Sequence, residues 1–187
     1  MIIDLTTLVK KDMIKGAITH VDVASSGHLG THFDVMNKEF PLEFIERNGV
    51  VFDVSQIKDR DIEIHDIDIN LVKKDMFVAF NFGYIEKVPY GTKEYFKNHP
   101  QLSNELIEEL LKRRVSIIGV DCSGVRRGQE HGIADQKCAD NGAFVIENLC
   151  NLKEVLKDKT NAEFIANTYP IKFEGMSGLP CRVVAKI

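Results

Sequence analysis

The residues best suited to chemistry sit together in His28-Leu29-Gly30-Thr31-His32-Phe33-Asp34. Two imidazoles and a carboxylate fall within seven residues, with a glycine between the histidines. That donor set suits a borderline divalent ion such as Zn2+ or Mn2+. The spacing also constrains the backbone. On a helix, His28 and His32 share a face and Asp34 turns away from it. On a strand, positions 28, 30, 32 and 34 all project to one side, and Gly30 leaves that side uncrowded.

A straight strand cannot make one site of these residues. At about 3.3 Å per residue, the two histidines would stand roughly 13 Å apart. A metal holds each ligand at only about 2.0–2.2 Å. Either the chain bends near Gly27 or Gly30, where glycine permits a bulge or sharp turn, or His28 does a different job. The plainer alternative is a surface strand carrying two unrelated histidines.

The surrounding chain must supply a scaffold for this segment. Its 187 residues, 44% hydrophobic, are enough for one core. No repeat or low-complexity linker divides it, so residues 1–187 read as a single domain. A net charge of −4 argues against nucleic acid as a partner. The cysteines at 122, 138, 150 and 181 form no C-x-x-C pair and read as reduced thiols of a cytoplasmic protein. Lys10, Lys11 and Lys15 interrupt the start, which lacks the apolar run of a signal peptide. No stretch approaches the roughly 20 apolar residues of a membrane span.

The element pattern mixes strands with helices. Val50 to Val54 reads as a strand after a turn at Asn48-Gly49. Ile62, Ile64, Ile67 and Ile69 read as a strand, a break and a second short segment. Met76 to Phe82 reads as a buried strand. Ser103 to Arg114 is the clearest helix, capped by Ser103, with Leu106, Ile107, Leu110 and Leu111 as its apolar stripe. Val115 to Asp121 follows as a strand ending in a carboxylate, then a short helix over Ile133 to Asp140, stopped by Gly142. Ala143 to Glu147 reads as a strand and Asn151 to Lys157 as a helix. Two late strands lie around Ile171 and Val183. The class is α/β or α+β.

The segment from His28 resembles the H-x-G-T-H-x-D-x-P-x-H signature of the cyclase family, which includes bacterial kynurenine formamidase and isatin hydrolase. The resemblance extends through Ile2-Ile3-Asp4-Leu5-Thr6, His99-Pro100-Gln101-Leu102-Ser103, Ile118-Gly119-Val120-Asp121 and Val145-Ile146-Glu147-Asn148-Leu149. It ends in Tyr169 to Gly175 and Ser177 to Arg182. It implies an α/β fold with a mixed, barrel-like β core flanked by helices, of the family's swivelling β/α type, built as a homodimer or higher homo-oligomer. It further implies a metal-dependent hydrolase of a small amide, lactam or ester, similar to arylformamidases. The alternative is a metal- or small-molecule-binding protein that keeps the fold without hydrolysis.

On this resemblance the metal ligands are His28, His32, Asp34, Glu147 and a histidine preceding Glu147. His131 matches that histidine by type; Asp135 matches it by spacing. The chain departs from the pattern after Asp34. Where the family has proline and then an acid/base histidine, this chain has Met36-Asn37-Lys38. Lys38 would either supply charge to the substrate or oxyanion or face solvent beside Glu39, and Asp135, His131 or Glu147 would manage the proton. Asn81-Phe82-Gly83-Tyr84 replaces the family's Thr-Gly-Trp, so altered pocket walls are expected. Gly124 to Gly128 reads as an exposed basic loop, the alternative being an anion-binding loop near the site. His65 reads as a surface residue, His99 as structural, and His20 has no motif around it.

Overall fold

The computed structural model describes residues 1–10, 13 and 26–187. His20, Lys11 and Lys15 lie outside them. The strands are β1 (Ile2–Asp4), β2 (His32–Asp34), β3 (Glu46–Asp53), β4 (Phe77–Asn81), β5 (Ile117–Val120), β6 (Phe144–Glu147), β7 (Asn161–Pro170) and β8 (Gly178–Lys186). They run in the order β1-β8-β2-β6-β5-β4-β3-β7, and β7 pairs back onto β8. Seven strands therefore close into a barrel. Along β8, residues 181–186 pair with β7, while residues 178–180 pair with β2 and 184–186 with β1. Strands β3 to β6 are mutually parallel, and the other pairings are antiparallel. The helices are α1 (Lys93–Lys97), α2 (Asn104–Lys112), α3 (His131–Asp140) and α4 (Leu152–Leu156). This is the mixed α/β barrel that the resemblance implies.

Alternation along the strands sorts the apolar residues into two cores. One draws on all seven barrel strands, with Phe33, Val51, Phe77, Ile117, Ile146, Phe164 and Val183, and fills the interior. The other places Val50, Val78, Ile118 and Val145 on the outer face, against Leu106, Ile107 and Leu110 of α2. The interior is tight. A Cβ at Gly49 would meet the Phe164 ring, and one at Gly119 would meet Phe77.

Helix α2 forms as its pattern predicts: Ser103 Oγ accepts from Leu106 N at 3.1 Å, Glu105 occupies the first turn and Lys112 the last. Three expectations need correction. Asn48-Gly49 makes no turn; both residues lie within β3, and Gly49 serves to admit Phe164. The isoleucine-rich segment forms 3-10 turns at Ile64–Asp66 and Ile69–Leu71 instead of strands. There Asp66 accepts from Glu63 N at 2.8 Å and Asp68 from Asn70 N at 3.1 Å. Such acidic side chains compete with a sheet ladder for backbone donors. The first late strand lies earlier than expected, ending at Pro170, just before Ile171.

The 28–34 segment is bent, not straight: only His32–Asp34 is strand. Gly27 and Gly30 take left-handed φ values of 87° and 67°. A Cβ at Gly27 would overlap the Gly178 carbonyl. We predict that Gly27→Ala destabilises the protein by about 2 kcal/mol or more, since left-handed strain and backbone overlap act together. Thermal unfolding of the variant checks this; an unchanged melting temperature would contradict it.

Candidate metal centre

The antiparallel pairing of β2 with β6 sets His32 directly opposite Glu147. Alternation puts Asp34 on the same face as His32, while Phe33 points into the barrel. The turn through Gly27 and Gly30 folds His28 back over this face. His28 Nδ1 lies 3.1 Å from His32 Nε2 and 2.9 Å from Asp34 Oδ1, and His32 Nε2 lies 3.6 Å from Asp34 Oδ1. The two histidines converge despite their sequence separation.

A second group comes from α3, which packs on β6. His131 and Asp135 are one helical turn apart and share a face. His131 Nε2 lies 3.4 Å from Asp135 Oδ2 and 3.6 Å from Glu147 Oε1. Glu147 faces both groups, because its Oε2 lies 3.6 Å from His32 Nε2. The structure thus brings both His131 and Asp135 to Glu147. The two triads His28/His32/Asp34 and His131/Asp135/Glu147 are each compact enough to hold an ion. Donors bonded at 2.0–2.2 Å with angles of 90–110° stand about 2.8–3.6 Å apart. The contacts that the histidine nitrogens make within the two triads span 2.9 to 3.6 Å.

The polar balance of the site also fits a cation. Asp34, Asp135 and Glu147 are at most 3% exposed. Asp34 Oδ1 and Oδ2, Asp135 Oδ1 and Glu147 Oε1 have no hydrogen-bond partner among the described residues. Asp34 Oδ1 is close to His28 Nδ1, but the two are not aligned as a hydrogen bond. Orphaned carboxylate oxygens are costly in a protein interior, and a divalent ion removes that cost.

Each histidine is held by its other nitrogen, an arrangement that orients metal ligands. His32 Nδ1 is 2.9 Å from the Gly30 carbonyl, which leaves Nε2 as the lone-pair nitrogen. His131 Nδ1 lies 3.3 Å from the Arg126 carbonyl. His28 Nε2 lies 2.9 Å from Ser177 Oγ, in the loop before β8. Ser177 is itself fixed, since its carbonyl accepts from Val35 N at 2.8 Å and Met36 N at 3.0 Å.

Electrostatics split the carboxylates. Burial alone would raise the Asp34 carboxyl, but the charge of His32, then the close approach of His28, hold it below the usual range. Burial would lower His32, and the nearby charge of Asp34, with the Gly30 carbonyl on its other nitrogen, raises it instead. Burial, then the charge of Asp34, push Asp135 and Glu147 well above the usual carboxylate range.

Other expected residues lie elsewhere. Lys38 is exposed, its ammonium 2.7 Å from Asp140 Oδ1 at the end of α3. The charge expected at the site is neutralised at the surface instead. Asn81 to Tyr84 does not line the cavity; Phe82 N and Tyr84 N donate to Asp121 at 2.9 and 3.0 Å. Arg126 is not an exposed anion binder. It is buried against Asp61, Glu130 and the Leu102 carbonyl. His65 is a surface residue, as expected, and His99 is buried, with Nδ1 2.9 Å from the Pro100 carbonyl. Sequence reasoning missed Tyr90 and Phe96, which line a cavity of about 300 Å3 over the histidines, and Ser177. No local motif marks them.

Comparison with known proteins bears on the fold and the family. A family model described as "Putative cyclase" matches residues 3–126. A solved structure described as a potential metal-dependent hydrolase with cyclase activity is 19% identical, with a TM-score of 0.72 over 99% of this chain and 96% of that one. A predicted metal-dependent hydrolase from Bacillus stearothermophilus is 19% identical, with a TM-score of 0.73 over 99% of this chain and 97% of its own. Isatin hydrolase A from Labrenzia aggregata is 20% identical, with a TM-score of 0.68 over 83% of this chain and 72% of its own. At these identities the structural likeness speaks for the fold. No curated protein matches the sequence.

Two predictions follow from the site. A carboxyl whose pKa rises on folding stabilises below its unfolded value, and that stabilisation is lost as pH climbs through the folded value. With Asp135 and Glu147 both raised, metal-free protein should lose stability as pH rises above the ordinary carboxylate range of about 4, and added Zn2+ or Mn2+ should flatten that slope. Melting temperatures of chelator-treated protein across that rise read it out; a steady gain in stability with pH would contradict it. Separately, Ser177→Ala should weaken metal binding roughly 10-fold through loss of the His28 support. Competition with a chromophoric chelator measures the affinity, while the melting temperature of the metal-free form should hardly move.

Proposed function

The chain belongs to the cyclase family, and from that premise we propose that it is a metal-dependent hydrolase of a small amide, lactam or ester, similar to kynurenine formamidase. The observation that carries this reading is the set of buried carboxylate oxygens without hydrogen-bond partners among the described residues, facing three imidazole nitrogens. His28, His32 and Asp34 would hold one divalent ion. His131, Asp135 and Glu147 form the adjacent group, able to complete its shell or hold a second. A divalent ion, Zn2+ or Mn2+, supplies Lewis acidity and lowers the pKa of water toward 7.

The chain's own residues then divide the work. The Gly30 and Arg126 carbonyls and the Ser177 hydroxyl fix the imidazoles. The rings of Tyr90 and Phe96 bound the cavity over the histidines and exclude water from one side. With Lys38 engaged by Asp140, the proton that hydrolysis transfers to the leaving nitrogen or oxygen falls to groups on α3 and β6. Asp135 is the carboxyl of raised pKa on α3, and His131 beside it reaches the cavity.

The test is turnover of a panel of N-formyl anilines and lactams with added Zn2+ or Mn2+, together with elemental analysis. The protein should turn over at least one compound, lose that activity with a chelator and regain it with metal. Asp34→Asn should lose metal occupancy and activity together, because a neutral amide is a weaker ligand than a carboxylate. Full metal occupancy with no turnover across the panel would favour a metal-binding protein instead, and full occupancy in Asp34→Asn would remove Asp34 from the centre.

A further inference from the structure

We propose that the Tyr90 phenol is the hydrogen-bond donor to the substrate's carbonyl oxygen, an inference that rests on the hydrolase reading above. Tyr90 lies between β4 and α1, far in sequence from every candidate ligand. It lines the same cavity as His28, His32, His131 and Glu147. Its oxygen accepts from Gly30 N at 2.7 Å. That bond uses a lone pair on the oxygen and leaves the O–H free. The proton has no acceptor among the described residues, and the open space beside it is the cavity.

The hydroxyl is well placed for this task. Gly30 donates its N–H to Tyr90, while its carbonyl faces His32 Nδ1 at 2.9 Å and Asn148 Nδ2 at 2.9 Å. One peptide segment therefore sets the phenol and the His32 imidazole relative to each other. The ring is held edge-on by Tyr95, with centroids 5.4 Å apart, and by Phe96 at 5.9 Å. A donor fixed before the reaction stabilises developing charge without reorganising. Burial, foremost, raises the phenol pKa above its ordinary value, so the group stays a donor. Ser123 also lines the cavity, but no hydrogen bond fixes its hydroxyl among the described residues.

In the step itself, the oxygen of water bonds to the carbonyl carbon, one water proton passes to the His131 and Asp135 pair, and the carbonyl π pair moves onto oxygen. There the Tyr90 O–H meets it. Collapse restores the carbonyl and breaks the C–N or C–O bond, and the leaving atom takes the proton held by that pair. The second water proton leaves the new carboxyl group for solvent, so the products are a carboxylate, an amine or alcohol, and one proton.

The test is Tyr90→Phe, with Tyr169→Phe at an exposed tyrosine outside the cavity as control, on the metal-loaded protein and the best substrate of the panel. A lost oxyanion donor should lower kcat about 100-fold with KM little changed. Metal affinity should stay the same, and Tyr169→Phe should keep kcat. Tyr90→Phe also strands the Gly30 N–H. A merely structural role would therefore appear as weakened metal binding through His32, with kcat falling in proportion to occupancy. That result, or a kcat within a few-fold of wild type, would overturn the proposal. Binding of the fluorescent carboxylate 2-aminobenzoate reads the same donor without turnover. Wild type should bind it roughly 10-fold more tightly than Tyr90→Phe, as expected for one hydrogen bond to a charged oxygen. Equal affinities would overturn the donor role even if hydrolysis is real. Absence of turnover with this affinity difference intact would overturn the hydrolase reading alone.

Discussion

Three carboxylates buried within reach of one another are the constraint on which the rest of the structure turns. Asp34, Asp135 and Glu147 cannot all ionise there without a compensating charge. The fold does not relieve this with hydrogen bonds; four of their oxygens have none among the described residues. It directs histidines at them instead, each supported from behind by a carbonyl or hydroxyl. The outcome is a site whose repulsion is tolerated because the barrel over-determines it. β6 is hydrogen-bonded on both edges, by β2 and β5, and α3 packs across it.

Much of this was legible in the sequence, for local reasons. The period-two placement of His32 and Asp34 predicted a shared face, and the glycines at 27 and 30 predicted the bend that returns His28. α2 was legible because its cap, apolar stripe and terminal charges agree with one another. The isoleucine-rich stretch was misleading because β-branched residues suit strands, while nearby Asp and Glu side chains took the backbone donors. The Asn48-Gly49 turn failed because a glycine can mark a crowded neighbour as well as a reversed chain.

What was not legible is what depends on distant segments meeting. Tyr90 and Ser177 join the site through contacts spanning 60 and 149 residues, to Gly30 and His28. No spacing rule reaches that far. Lys38 shows the reverse case, where the solvent-facing reading holds and the charge role does not. Its nearness in sequence to Asp34 promised a role, yet β2 ends at Asp34 and the chain beyond carries the lysine out to Asp140. Proximity along the chain informs only while one regular element continues.

The two faces of β2 and β6 carry opposite duties. In β2, residues 32 and 34 face the candidate centre while Phe33 fills the barrel; in β6, Glu147 faces the centre while Phe144 and Ile146 face inward. Parity of residue number therefore separates two kinds of inheritance. Substitutions of one parity can re-tune chemistry while the barrel stays sealed, and those of the other can re-tune robustness without altering the donors. Deleting or inserting a single residue in β2 would exchange the two sets at once, moving imidazole inward and phenyl outward. Drift in these strands is thus confined to replacement, and length change must be absorbed by the loops between them.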